Sequence, residues 1–151
     1  MLIDRRIPDL PRGVERYRVS GGGAAVIAIS AGDRITVIDV EGRQPCEVLA
    51  ADATGRVDPG LIGGKVSGIA DGLRGILASG SESARAVLTG LRRRNIDLGE
   101  AKAVRLFGGE SAAGAREEFT AQGSGVLIVA APGDAMAPEA QGTATGIGVR
   151  I

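Results

Sequence analysis

The sequence predicts an α+β, β-rich fold: an antiparallel β-sandwich or partly closed barrel, with two helices inserted at about residues 67–95. Three observations lead there. Short β-branched runs crowd both ends of the chain. The apolar spacing changes from a period of two to a helical period in the middle. And 25 glycines among 151 residues, dispersed rather than repeated, mark many tight turns. Strands, then helices, then strands is the order of an α+β domain with a dominant antiparallel sheet. At this length a single domain, 1–151, is expected, able to bury roughly 70% of its extended surface without disulfide staples.

The elements follow in order. Residues 4–13 carry Pro8, Pro11 and Gly13 and read as an extended lead-in. ERYRVS (15–20) is a short strand. AAVIAIS (24–30) and RITVIDV (34–40) flank Ala31-Gly32-Asp33, a connection suited to a positive φ at Gly32. With PCEVLAA (45–51), beyond the turn Glu41-Gly42-Arg43, they are expected to form a three-stranded antiparallel meander. Residues 52–66 read as loop. In SGIADGLRGILASG, Ile69, Leu73, Ile76 and Leu77 share a helical face, weakened by Gly68, Gly72 and Gly75. A second helix follows a capping-box pattern, Ser79 and Glu82. Its stripe is Ala84, Val87, Leu88 and Leu91, and Arg92, Arg93 and Arg94 close it where cations complement the helix C-terminus. Strands resume at 101–107, 115–121, 125–131 and 146–151, and GVLIVAA (125–131) has the unbroken apolarity of a fully buried strand.

Composition removes several classes of function. The formal net charge is zero and aromatics are 2%, so neither a polyanion-binding field nor stacking platforms for nucleic acid are expected. No apolar run approaches the ~18 residues of a membrane-spanning helix. MLIDRRIPDLPRG has no apolar core of a secretory signal, and one cysteine allows no internal disulfide. A cytoplasmic protein, bound to neither nucleic acid nor membrane, is the expectation. Histidine is absent, which excludes a histidine triad, a histidine base and histidine metal ligands.

The chemically dense stretch is DVEGRQPCEV (39–48). Asp39, Glu41, Gln44, Cys46 and Glu47 are the candidate ligand-binding residues. Carboxylates so close together can act as general acid and base or hold a hard cation; the alternative is a polar turn bonding its own backbone. Cys46 has Glu47 beside it, which opposes a thiolate, and packs more naturally as a small apolar side chain. Gly21-Gly22-Gly23 precedes a strand rather than a helix, so it reads as a turn and not a phosphate loop. No catalytic or metal-ligating residue is assigned from the sequence.

Two segments carry a resemblance. AISAGDRITVIDVEGRQPCEVLAAD (28–52) is similar to the opening of the urea carboxylase-associated family: Ala31, Gly32 and Asp33, then Asp39, Glu41, Gly42, Gln44 and Glu47 fill its pattern. VLIVAAPGDAMAPEAQGTATGIGVRI (126–151) resembles its ending through Pro132, Asp134, Pro138 and Thr145. Family members with a metal site carry histidine and cysteine; this chain has no histidine and has Ala131 before Pro132, so no ligand set is carried over. LFGGESAAGAREEFTA (106–121) looks like the divergent form at the N-terminus of long aminomethyltransferase proteins similar to the glycine cleavage T-protein. The resemblance implies a non-catalytic accessory or ligand-binding domain, no cofactor of its own, and a C-terminal catalytic partner domain using tetrahydrofolate. The strand closing at Ile151 agrees with an N-terminal domain of a longer chain. Two other readings stay open: a free-standing enzyme of small nitrogen metabolites built on the carboxylate cluster, and a homo-oligomerisation module.

Overall fold

The structure is a computed structural model and describes residues 15–99, 101–108, 110–133 and 146–151. The lead-in at 4–13 and the family-like positions Asp134, Pro138 and Thr145 lie outside the described residues. Among the described residues, nine strands and two helices follow in the order β1 (Arg16–Ser20), β2 (Ala24–Ile29), β3 (Arg34–Asp39), β4 (Cys46–Asp52), β5 (Gly68–Ile69), α1 (Asp71–Ala78), α2 (Glu82–Arg93), β6 (Lys102–Leu106), β7 (Ala115–Thr120), β8 (Gly125–Ala130) and β9 (Gly146–Arg150). A short 3-10 turn, Pro59–Leu61, interrupts the segment between β4 and β5.

The strands form two open antiparallel sheets, ordered β1-β9-β3-β7 and β2-β8-β4-β6-β5. The fold is therefore a β-sandwich, not a barrel. One apolar layer lies between the sheets, with Ile35, Val37, Ile147 and Val149 from the first facing Ile27, Val48, Leu127 and Val129 from the second. The helices cover the opposite face of the five-stranded sheet: Leu73, Ile76, Ala84, Val87 and Leu91 pack on Leu49, Ala51, Val126, Ile128 and Ala130. That sheet is thus buried on both faces. This is why β4 and β8 read as continuous apolar runs while β3 alternates.

The expected meander is corrected. β2 pairs with β8, β3 with β7 and β9, and β4 with β6 and β8; none of β2, β3 and β4 pairs with another. Gly32 does take a positive φ of 88°. The turn it makes, however, carries the chain from one sheet to the other rather than into a hairpin. Alternation places a strand's apolar face on the core but is silent about which strand lies beside it.

The helices also start later than the spacing suggests. Ile69 belongs to β5, and α1 begins at Asp71. Ser79 is the C-cap of α1, not the N-cap of α2. Ser81 caps α2, accepting from the Ala84 amide, and Arg92 and Arg93 occupy its last turn. The cap shift removes the Ser79–Glu82 capping box, because Glu82 is the first helical residue.

Leu127 is fully buried between the sheets. Its truncation to Ala is expected to lower unfolding free energy by roughly 2–5 kcal/mol in urea titrations, whereas Thr36→Ala on the outer face of β3 shifts it by less than about 1 kcal/mol.

Candidate functional site

The stretch singled out in the sequence is the crossing from β3 to β4, one edge of the sandwich where the chain changes sheets. Asp39, the last residue of β3, is fully buried. Its Oδ1 accepts from the Gly42 amide at 3.0 Å and its Oδ2 from the Gln44 amide at 3.1 Å. Ser111 Oγ, from the crossing between β6 and β7, sits 2.6 Å from the same Oδ2. The bend needs two consecutive left-handed residues, Gly42 (φ 88°) and Arg43 (φ 59°). Arg43, which is disfavoured there by its Cβ, is held by its amide, which lies 3.0 Å from both the carbonyl and the hydroxyl oxygen of Ser111. At Gly42 a Cβ would stand 2.9 Å from the Ala113 nitrogen, so the second crossing lies directly against the first.

Gln44 is buried and its side-chain amide donates to the Pro45 carbonyl at 2.8 Å and to the Pro132 carbonyl at 2.9 Å, just beyond β8. Glu47, on the helix-facing side of β4, is buried as well. Its two oxygens accept from Gly72 (2.9 Å) and Leu73 (2.8 Å), two amides in the first turn of α1. Ala70 at the N-cap gives α1 no side-chain acceptor, so a carboxylate from the sheet takes that place and complements the positive helix end. Arg105 Nε lies 3.9 Å from the same carboxylate. A Cβ on residue 72 would come within 2.3 Å of Pro132 Cγ and 2.8 Å of Glu47 Oε2. The glycine that weakens α1 by propensity is what lets Glu47 and Pro132 reach it.

Cys46 faces the inter-sheet core with 1% exposure. Burial, and then the nearby carboxylates of Glu47 and Asp39, push its thiol far above the ordinary range, so it stays protonated and unreactive at neutral pH. Glu41 alone of the five points outward, pairing with Arg18 at 3.5 Å.

The structure therefore brings Asp39, Gln44, Cys46 and Glu47 close in the fold but aims them differently. Asp39 and Glu47 are engaged by backbone amides, Gln44 by carbonyls, Cys46 by the core. No residue pattern marks Ser111, which sits in an ordinary-looking Gly-rich loop, or the parts played by Arg105 and the Pro132 carbonyl. Among the described residues no group of three His, Cys, Asp or Glu side chains lies together in a way that would hold a metal ion. Two open clefts are lined by other residues. One, of about 620 Å³, has Arg56, Asn95, Asp97 and Lys102 around Val57 and Leu98. The other, of about 450 Å³, runs between β6 and β7 past Lys65, Arg105, Glu117 and Phe119. No helix of the described residues is long and apolar enough to cross a membrane.

No family model and no solved structure matches the chain. A curated protein does. The trimethylamine-oxide aldolase of Ruegeria pomeroyi (strain ATCC 700808 / DSM 15171 / DSS-3) is 43% identical over 150 residues, 99% of this chain. The chain spans 19% of that relative's length. This finding overturns the expected non-catalytic accessory domain of an aminomethyltransferase-like protein: the relative carries the name of an enzyme of a small nitrogen metabolite, which fits the alternative reading of the sequence instead. The labels drawn from the aminomethyltransferase, glycine cleavage T-protein and urea carboxylase-associated families are corrected with it, since the relative points elsewhere.

Two outcomes test the roles of these side chains. Glu47→Gln is expected to cost roughly 1–3 kcal/mol in urea titrations and to strip hydrogen-exchange protection from the Gly72 and Leu73 amides, while Glu41→Gln changes stability by less than about 0.5 kcal/mol. Cys46 is expected to resist alkylation by iodoacetamide in the native protein and to react rapidly once the chain is unfolded in urea; fast native labelling would contradict its burial.

Proposed function

We propose that this chain is part of a cytoplasmic enzyme acting on a small methylated nitrogen compound of the trimethylamine N-oxide type. The observation that carries the reading is the 43% identity running through 99% of the chain to a protein named for that activity. An aldolase reaction on such a substrate has a fixed balance. One C–N bond and the N–O bond break, a C=O bond forms on the released methyl carbon, and one of its hydrogens ends on nitrogen. The products are dimethylamine and formaldehyde. The carbon is oxidised as the nitrogen is reduced, so no outside oxidant or reductant enters.

Within such an enzyme Asp39 and Glu47 act as positioning residues. Each carboxylate is satisfied by backbone donors and fixes the approach of two elements, the sheet crossings in one case and α1 in the other. A site is precise when its frame is rigid, and these clasps supply that rigidity.

The test is to incubate the native-length protein with trimethylamine N-oxide and quantify both products. Equal amounts of dimethylamine and formaldehyde are expected, with none from trimethylamine, which lacks the oxygen. Folded protein that forms neither product overturns the proposal.

A further inference from the structure

The outer face of the four-stranded sheet carries a charge pattern that no reading above uses. Cross-strand register places its side chains without ambiguity. One row runs Arg16, Arg150, Thr36, Glu118; the next runs Arg18, Gly148, Ile38, Arg116; Arg34 stands opposite Thr120. Directly opposed residues share a face. So five arginines gather on one face of a chain with zero formal net charge. Against them stand Glu118 and, at the rim, Glu41. The Arg18–Glu41 contact is the one ion pair this face makes among the described residues.

The arrangement has a cost. Arg16 and Arg150 are direct cross-strand partners, and like charges so placed destabilise a sheet. The centre is apolar: Thr36 and Ile38 are half-buried, Val40 is 37% exposed, and Gly148 leaves a flat place beside them, where a Cβ would touch Val40 and Ile38. An apolar centre ringed by arginine is the anatomy of a protein–protein interface. The residue choice agrees. Neither of the chain's two lysines, Lys65 and Lys102, is on this face. Arginine's planar fork suits bidentate pairing with carboxylates, and lysine is depleted at interfaces.

We propose that this sheet face docks an acidic protein surface, one presenting Asp and Glu side chains around a small apolar contact. The matching relative is consistent with this, since most of its length lies outside the matched region. Nucleic acid is the poorer fit, because the face has no aromatic side chain on which a base could stack. The charge effect is local and needs no net charge on the protein.

The probe is fluorescent poly-L-glutamate, followed by anisotropy with the full chain. Binding is expected at about 50 mM salt and is expected to weaken at least about tenfold by about 300 mM. Arg16→Glu/Arg34→Glu/Arg116→Glu is expected to weaken it by about tenfold or more, and the milder Arg34→Gln/Arg116→Gln by several-fold, should the triple variant not fold. Arg85→Glu/Arg92→Glu/Arg93→Glu, on α2 at the far side of the molecule, is the control and is expected to change binding less than about twofold. No binding of poly-L-glutamate, equal loss in the sheet and helix variants, or tighter binding to a DNA oligonucleotide or to phosphatidylglycerol vesicles would overturn the assignment.

Discussion

A buried carboxylate holds this sandwich shut at one edge. Asp39 collects two amides from its own crossing and the hydroxyl of Ser111 from another, and those are two of the places where the chain passes between the sheets. A buried carboxylate is tolerable only when donors surround it, and here two backbone amides and a loop hydroxyl supply them. The left-handed pair Gly42 and Arg43, the approach of Ala113, and the first register position of β7 opposite Asp39 all follow from that clasp. The packing of Val37 and Val149 behind it depends on the same alignment.

Glu47 repeats the device on the other face of the five-stranded sheet. There the acceptor belongs to a strand and the donors to a helix start, so α1 is anchored by tertiary structure rather than by its own sequence. An eight-residue helix with two glycines has little stability alone. Its position is set by what it sits on: β4, Pro132 and the apolar patch around Leu49 and Ile128.

Much of this was legible in the residues. Element types, the two-sided burial of β8, the two central helices and the crowding of polar groups at 39–47 all follow from periodicity and composition. Pairing was not. β2, β3 and β4 look like neighbours because each alternates or runs apolar and the turns between them are short, yet their partners come from the far end of the chain. Local pattern encodes which face is buried, and long-range pairing depends on side-chain fit across strands that are distant in sequence. The fates of Asp39 and Glu47 were half legible. That carboxylates would bond backbone at the turn was a reading the residues allowed, but the capping of α1 by a residue 25 positions earlier leaves no mark in spacing. The Ser79 cap failed for a simpler reason: two serines, Ser79 and Ser81, compete, and the tighter end of α1 takes the first.

The strand order has a consequence for how the molecule comes into being. Ala24 pairs with Ala130, Ile27 with Leu127, and Arg16 with Arg150, so both sheets are completed only by the last of the described strands to be synthesised. On a ribosome, β2, β3 and β4 emerge as apolar segments whose hydrogen-bonding edges have no partner until β6, β7, β8 and β9 follow. The nascent chain must carry that exposed, aggregation-prone surface until those strands have emerged, a circumstance in which a holding chaperone has most to contribute.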